Sequence, residues 1–137
     1  MINYTDLIGT PFVNEGRDSK KGLDCYGLVK EVYNRYGIEL PEYTLNYDEF
    51  EKIDALIRNQ KTNPIWKKAD DTEPPVPSIV CMSFGVPKGI INHTGVYIGD
   101  GKMIHTRAKI GVCVDRVDSP AWRRVIDSYY TYTGGDK

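Results

Sequence analysis

A chain of 137 residues, 40% hydrophobic and 27% charged, is long enough to bury a core of its own, and nothing in its composition is fibrous or disordered. Its formal net charge of -1, with Lys and Arg scattered rather than gathered into a stripe, excludes the electrostatic footprint of a nucleic-acid binder. No segment approaches the ~20 apolar residues of a membrane span. The N-terminal MINYTDLIGTPF has neither a basic leader nor an apolar stretch of signal-peptide length. The expectation is one domain over residues 1–137, made in the cytoplasm, with no nucleic-acid or membrane partner. Cys25, Cys81 and Cys113 are an odd set without CxxC spacing, so neither a disulfide framework nor a structural zinc site is expected, and no metal or cofactor.

In chain order, a short helix is predicted near Asn3 to Ile8, followed by the charged loop NEGRDSKKG. From Tyr26 the apolar positions Leu28, Val29, Val32, Tyr33 and Tyr36 recur at helical spacing, and Gly37 stands as the stop. Asn46 with Glu49 three residues later resembles a capping box and predicts a second helix with the stripe Phe50, Ile53, Leu56 and Ile57. The run DDTEPPVPS reads as a loop. Strand patterns then dominate: SIVCMSF, HTGVYIG, KMIHTRA, VCVDRV and RRVIDSYYTY, separated by GDG, IG and SPAW turns. Helices followed by a strand meander predict an α+β domain.

The segment GLDCYGLVKEVY places a cysteine between an aspartate and the start of the amphipathic helix. With Asp24 as N-cap, free backbone N–H groups and the helix dipole at Cys25 favour a thiolate, the condition for a nucleophile. On position alone, a cysteine that merely fills core space fits as well. Cys81 and Cys113, inside apolar strand runs, read as structural, so Cys25 is expected to alkylate far faster than either. The charges of Glu15, Arg17, Asp18 and Lys20 read mostly as a solvated run.

A thiol nucleophile needs a base, and the chain has two histidines, His93 and His105, on neighbouring strands of one predicted hairpin. A three-residue Gly99-Asp100-Gly101 loop would pair Ile98 with Lys102, Tyr97 with Met103, Val96 with Ile104 and Gly95 with His105. The two imidazoles would then be diagonal neighbours on one face, with Gly95 leaving room. A two-residue Asp100-Gly101 turn would instead place them on opposite faces, so the chemistry requires the longer loop or a bulge.

The segments LIGTPFVNEGRDSKKGLDCYGLVKEVYNRYGIELPEY and HTGVYIGDGKMIHTRAKIGVCV resemble the two signature blocks of NlpC-type peptidoglycan cysteine peptidases, nearly end to end. The GRD before the cysteine, LPEY after the helix and SPAWRRVIDSYY near the end resemble the subgroup found in phage and prophage tail proteins. The resemblance implies a papain-like fold, with N-terminal helices packed on an antiparallel sheet meander. It implies Cys25 as nucleophile, His93 as base and His105 as the group that orients His93, together with stem-peptide substrates and phage tail proteins as partners. Arg17, Asp24 and Tyr26, around the cysteine, are expected to contact substrate. Phe12 stands where many relatives carry a tyrosine, so that hydroxyl is missing from the oxyanion side, and Tyr26 stands where serine is common. Two other readings belong with the same residues: a structural tail-assembly protein with a degenerate site, and a thiol amidase or acyltransferase.

Overall fold

The structure, a computed structural model, describes residues 2–41, 66–87 and 89–133. The helix predicted from Asn46 to Ile57 lies outside the described residues. The first predicted helix is a single 3-10 turn, Thr5–Leu7. Two-residue strands β1 (Arg17–Asp18) and β2 (Gly22–Leu23) form a small hairpin inside the segment read as a charged loop. They deliver the chain to α1, Cys25–Arg35, whose first residue is the cysteine itself.

Helix α1 ends as its sequence predicts. Gly37 takes φ +83, Ile38 N–H donates to the Tyr33 carbonyl at 3.0 Å, and Gly37 N–H donates to that of Asn34 at 3.0 Å, the bonds of a Schellman motif. The helix is anchored along its length, because Leu28, Val29, Val32 and Tyr33 are wholly buried. Each such aliphatic side chain contributes about 1.5–3 kcal/mol, so the register of α1, and with it the position of Cys25, is fixed from the core.

The sheet contains β3 (Trp66–Lys68), β4 (Ser78–Met82), β5 (His93–Gly99), β6 (Lys102–Arg107), β7 (Gly111–Arg116) and β8 (Ile126–Tyr132). Their spatial order is β3-β8-β4-β5-β6-β7, every neighbouring pair antiparallel. Strands β4 to β7 form the predicted meander; β8 departs from it by returning to lie between β3 and β4. The four-residue helix α2, Pro120–Arg123, occupies the segment read as a turn, with Pro120 in its first turn where no N–H is needed.

Strand alternation divides the interior in two. Ile79, Val96, Ile104 and Val112 pack with α1 in the larger core. Val80, Met82, Met103, Trp122 and Tyr129 form a smaller cluster, to which α2 contributes Trp122. The helices and the six-stranded antiparallel sheet make the α+β, papain-like arrangement implied by the resemblance.

Candidate active site

The start of α1 is built around Asp24, 4% exposed. Its carboxylate accepts from Gly27 N–H at 2.7 Å, from Glu15 N–H at 3.1 Å and from the Arg17 guanidinium at 2.7 Å. Glu15 adopts φ +60, a conformation uncommon for a residue with a side chain, and from it directs its N–H at the cap. The expected N-cap is thus present and reinforced from the β1–β2 side.

The expected thiolate is not. Cys25 is 8% exposed; burial, and then the Asp24 carboxylate, push its thiol up to about 11. Thr94 and the Tyr26 N–H pull in the opposite direction but do not prevail. The cap that orients the helix is itself an anion beside the sulfur, and it opposes the helix dipole. Asp24→Asn keeps an acceptor for Gly27 N–H while removing that charge. Each pKa unit recovered multiplies the thiolate tenfold and lowers its nucleophilicity, for a net gain of roughly threefold. Peptide mapping after iodoacetamide treatment at pH 8 is therefore expected to show Cys25 labelled several-fold faster in Asp24→Asn than in the parent, with Cys113 as internal reference; an unchanged rate would remove Asp24 as a cause.

His93 opens β5, and His105 lies wholly buried in β6. The hairpin joins them by a variant of the expected register. Val96 pairs with Ile104 and Tyr97 with Met103 as predicted, but Lys102 pairs with Gly99, and Ile98 is bulged out. Gly99, Asp100 and Gly101 all have positive φ, so the connection is a tight turn preceded by a bulge. The extra residue preserves the face. A Cβ on Gly95 would lie 2.9 Å from the His105 Cβ, so the absence of a side chain there lets the strands carry both rings. The His93 Nε2 to His105 Nδ1 distance is 3.1 Å.

The series continues past the expected residues. His105 Nε2 lies 2.8 Å from Asp115 Oδ2. A carboxylate oxygen only accepts, so His105 carries its proton on Nε2; its Nδ1 then accepts from His93 Nε2–H, leaving a lone pair on His93 Nδ1. Two residues, Asp115 acting through His105, therefore set which nitrogen of His93 is basic. Trp122 stacks edge-on against His105 at 4.6 Å between ring centroids and seals it from solvent.

Burial, then the His105 imidazole and the Arg107 guanidinium, push His93 down to about 3. Burial also lowers His105, against the raising effect of Asp115. Both rings are neutral at neutral pH. Among the described residues no hydrogen bond joins Cys25 to His93; the β5 residue that approaches the sulfur is Thr94, whose buried hydroxyl has no hydrogen-bond partner of ordinary geometry. Cys25 thus meets β5 at the residue next to His93, without a hydrogen bond to that ring.

Sequence reasoning did not single out Asp115 and read Cys113 as structural. Cys113 pairs with His105 across β6 and β7, and its sulfur lies 3.7 Å from His105 Nε2 and 3.6 Å from Asp115 Oδ2. The available signal was the alternation in VCVDRV, which puts residues 113 and 115 on one face. Cys81, by contrast, is wholly buried, as read.

The residues expected to touch substrate are placed differently from one another. Asp24 is consumed by the cap, and Tyr26 is 3% exposed with its hydroxyl donating to the Pro41 carbonyl at 2.6 Å. Arg17 is tied to Asp24 and lines a hollow with Lys30, Glu31 and Asn34 along the flank of α1. A separate hollow of about 240 Å³ adjoins His93 and is lined by Phe84, Thr106, Arg107, Lys109 and Ile110. Its cations, not Arg17, are the ones beside His93.

Most of the chain is similar to known proteins. The NlpC/P60 family profile matches residues 9–131. The chain is 25% identical over 125 residues to the murein DD-endopeptidase MepS/murein LD-carboxypeptidase of Escherichia coli K12, covering 90% of this chain and 56% of that protein. It is 28% identical over 92 residues to tail tip assembly protein K of Escherichia phage lambda, covering 66% of this chain and 45% of that one. It therefore spans about half the length of these relatives. A crystal structure of a Bacillus cereus NlpC/P60 family protein superposes with a TM-score of 0.66 at 22% identity, over 92% of this chain and 36% of that one, which establishes the fold. With a profile that begins before the cysteine helix and ends within β8, the chain belongs to the NlpC/P60 family.

Proposed function

We propose that the chain is a cysteine peptidase that hydrolyses peptide bonds in the stems of bacterial peptidoglycan, acting as a phage or prophage tail-associated protein. The observation that carries this reading is the tautomer-fixed series His93–His105–Asp115 at the strand end adjoining Cys25. It delivers a neutral base with a free Nδ1 lone pair. Two relatives supply the context, one named a murein endopeptidase and the other a tail tip assembly protein. The hollow beside His93 adds chemistry that suits such a substrate: Arg107 and Lys109 provide cations for a peptide carboxylate, and Phe84 and Ile110 provide apolar walls.

In the proposed reaction Cys25 Sγ attacks the peptide carbonyl carbon while its proton passes to His93 Nδ1. The oxyanion forms at the start of α1, where the Cys25 backbone N–H can donate. The C–N bond then breaks as His93 returns the proton to the leaving amine, and water, deprotonated by His93, hydrolyses the thioester. The buried thiol, with no hydrogen bond to His93 among the described residues, favours a second reading, a tail-assembly protein whose site does no chemistry. Purified peptidoglycan fragments incubated with wild type and Cys25→Ala, with products read by mass, decide between them. New fragments from wild type alone are expected, and their masses separate peptide cleavage from amidase or acyl-transfer chemistry. No product from either protein would leave the assembly reading.

A further inference from the structure

Cys113 has no part in the proposed reaction, yet its sulfur points at the two atoms that set the tautomers. His105 Nε2, Cys113 Sγ and Asp115 Oδ2 come from adjacent strands, and all lie within 4.8 Å of one another. A tetrahedral zinc ion, with bonds of about 2.3 Å to sulfur and about 2.0–2.1 Å to nitrogen and oxygen, needs sulfur roughly 3.6 Å from the other two donors and nitrogen roughly 3.3 Å from oxygen. The sulfur distances, 3.7 Å to nitrogen and 3.6 Å to oxygen, already meet that requirement. Only the 2.8 Å nitrogen–oxygen pair must open, by rotation of Asp115, whose side chain is 34% exposed. Distances near 3.6 Å are long for strong hydrogen bonds to a thiol and suited to a shared metal. Cys113 and Asp115 are partly exposed, which leaves a fourth position open to water.

We propose that His105, Cys113 and Asp115 form a site for a borderline-soft divalent cation, zinc foremost, and that its occupation switches off His93 as a base. A thiolate, an imidazole and a carboxylate suit zinc and not magnesium or calcium. The switch follows from proton positions. The metal takes the lone pair of His105 Nε2, so the ring proton moves to Nδ1, and the Cys113 thiol proton leaves to solvent. His105 Nδ1–H must now donate to His93 Nε2, which can accept only if the His93 proton moves to Nδ1. That is the atom the Cys25 proton has to reach. No proton is gained by either ring; the base is lost because its lone pair faces the wrong way.

The binding half of the proposal stands on geometry alone, and the inhibitory half rests on the hydrolase reading, so the two are measured separately. Cobalt(II) is titrated into the untagged Cys25→Ala chain, where the Cys25–His93 pair cannot supply a thiolate. A near-ultraviolet thiolate-to-cobalt band that zinc displaces is expected, and Cys113→Ser and Asp115→Asn, made in that chain, should each weaken binding by at least about tenfold. A missing thiolate band, or Cys113→Ser binding as tightly as its parent, overturns the site whatever the activity. In the chain with Cys25 intact, zinc should suppress fragment release, and Cys113→Ser should need at least about tenfold more zinc for the same fractional loss. Tight binding at Cys113 with undiminished hydrolysis overturns the switch and leaves the hydrolase reading standing.

Discussion

His93→Ala is expected to reduce fragment release almost as far as Cys25→Ala, by about 10³-fold or more, because loss of a base removes both proton abstraction from the thiol and protonation of the leaving amine. The structure makes the dependence severe. With the thiol pushed up to about 11, Cys25 has almost no standing thiolate to fall back on when its base is removed. His105→Ala should be milder by roughly tenfold or more, since the nucleophile and base remain and only the constraint on tautomer and ring angle is lost. His105→Gln or His105→Asn, which can still accept from His93 Nε2–H, should recover part of that loss. Rates from a single stem-peptide substrate, at saturating and limiting concentration, give the order. If His105→Ala were as inactive as Cys25→Ala while His93→Ala kept substantial activity, the two histidine roles would be exchanged.

The second large effect is on pH. Where the thiol pKa lies above that of the imidazole, the proton rests on sulfur; here about 11 stands against about 3, and the resting pair is neutral across the whole physiological range. With a chelator present, kcat/KM is expected to stay nearly level between pH 6.5 and 9 rather than follow a narrow bell, and a solvent deuterium isotope effect should accompany the acylation step, since the proton moves during attack. Stability carries the acid limb instead. His93 is depressed in the folded protein, so the unfolded chain takes up a proton near 6.5 that the folded chain refuses. The contribution is complete above about 6.5 and is lost as pH falls toward about 3. Thermal unfolding followed by circular dichroism should show Tm declining over that interval in the parent and less so in His93→Gln. An acid limb near 6.5 in kcat/KM with Tm unchanged there would mean that the base titrates at the ordinary imidazole value and is not depressed.

Much of this was readable in the chain because it depends on short-range repetition. The spacing of Leu28, Val29, Val32 and Tyr33 marked α1, Asp24 marked its start, Gly37 its end, and the alternation of HTGVYIG and KMIHTRA marked β5 and β6. The requirement that His93 and His105 share a face even identified a bulge as one of two acceptable hairpin geometries. Strands β1, β2 and β3, of two or three residues, are too short for any periodicity to show. The return of β8 between β3 and β4 is a long-range choice that no local window records. Asp115 joins the site only through the β6–β7 register, ten positions along the chain from His105, the residue it hydrogen-bonds. The inverted proton affinities of Cys25 and His93 come from burial, and burial is known only once the chain has closed around them.

The neutral thiol of Cys25 also determines how the protein ages. Peroxide and disulfides react with thiolates, and a thiol of pKa about 11 is ionised in only about one molecule in 10⁴ at pH 7. At 8% exposure, little of that small fraction meets an oxidant. A sulfur permanently ionised at a helix start would drift toward sulfenic and sulfinic acid wherever no reductant repairs it. The proton that burial keeps on Cys25 is thus also its protection against oxidation.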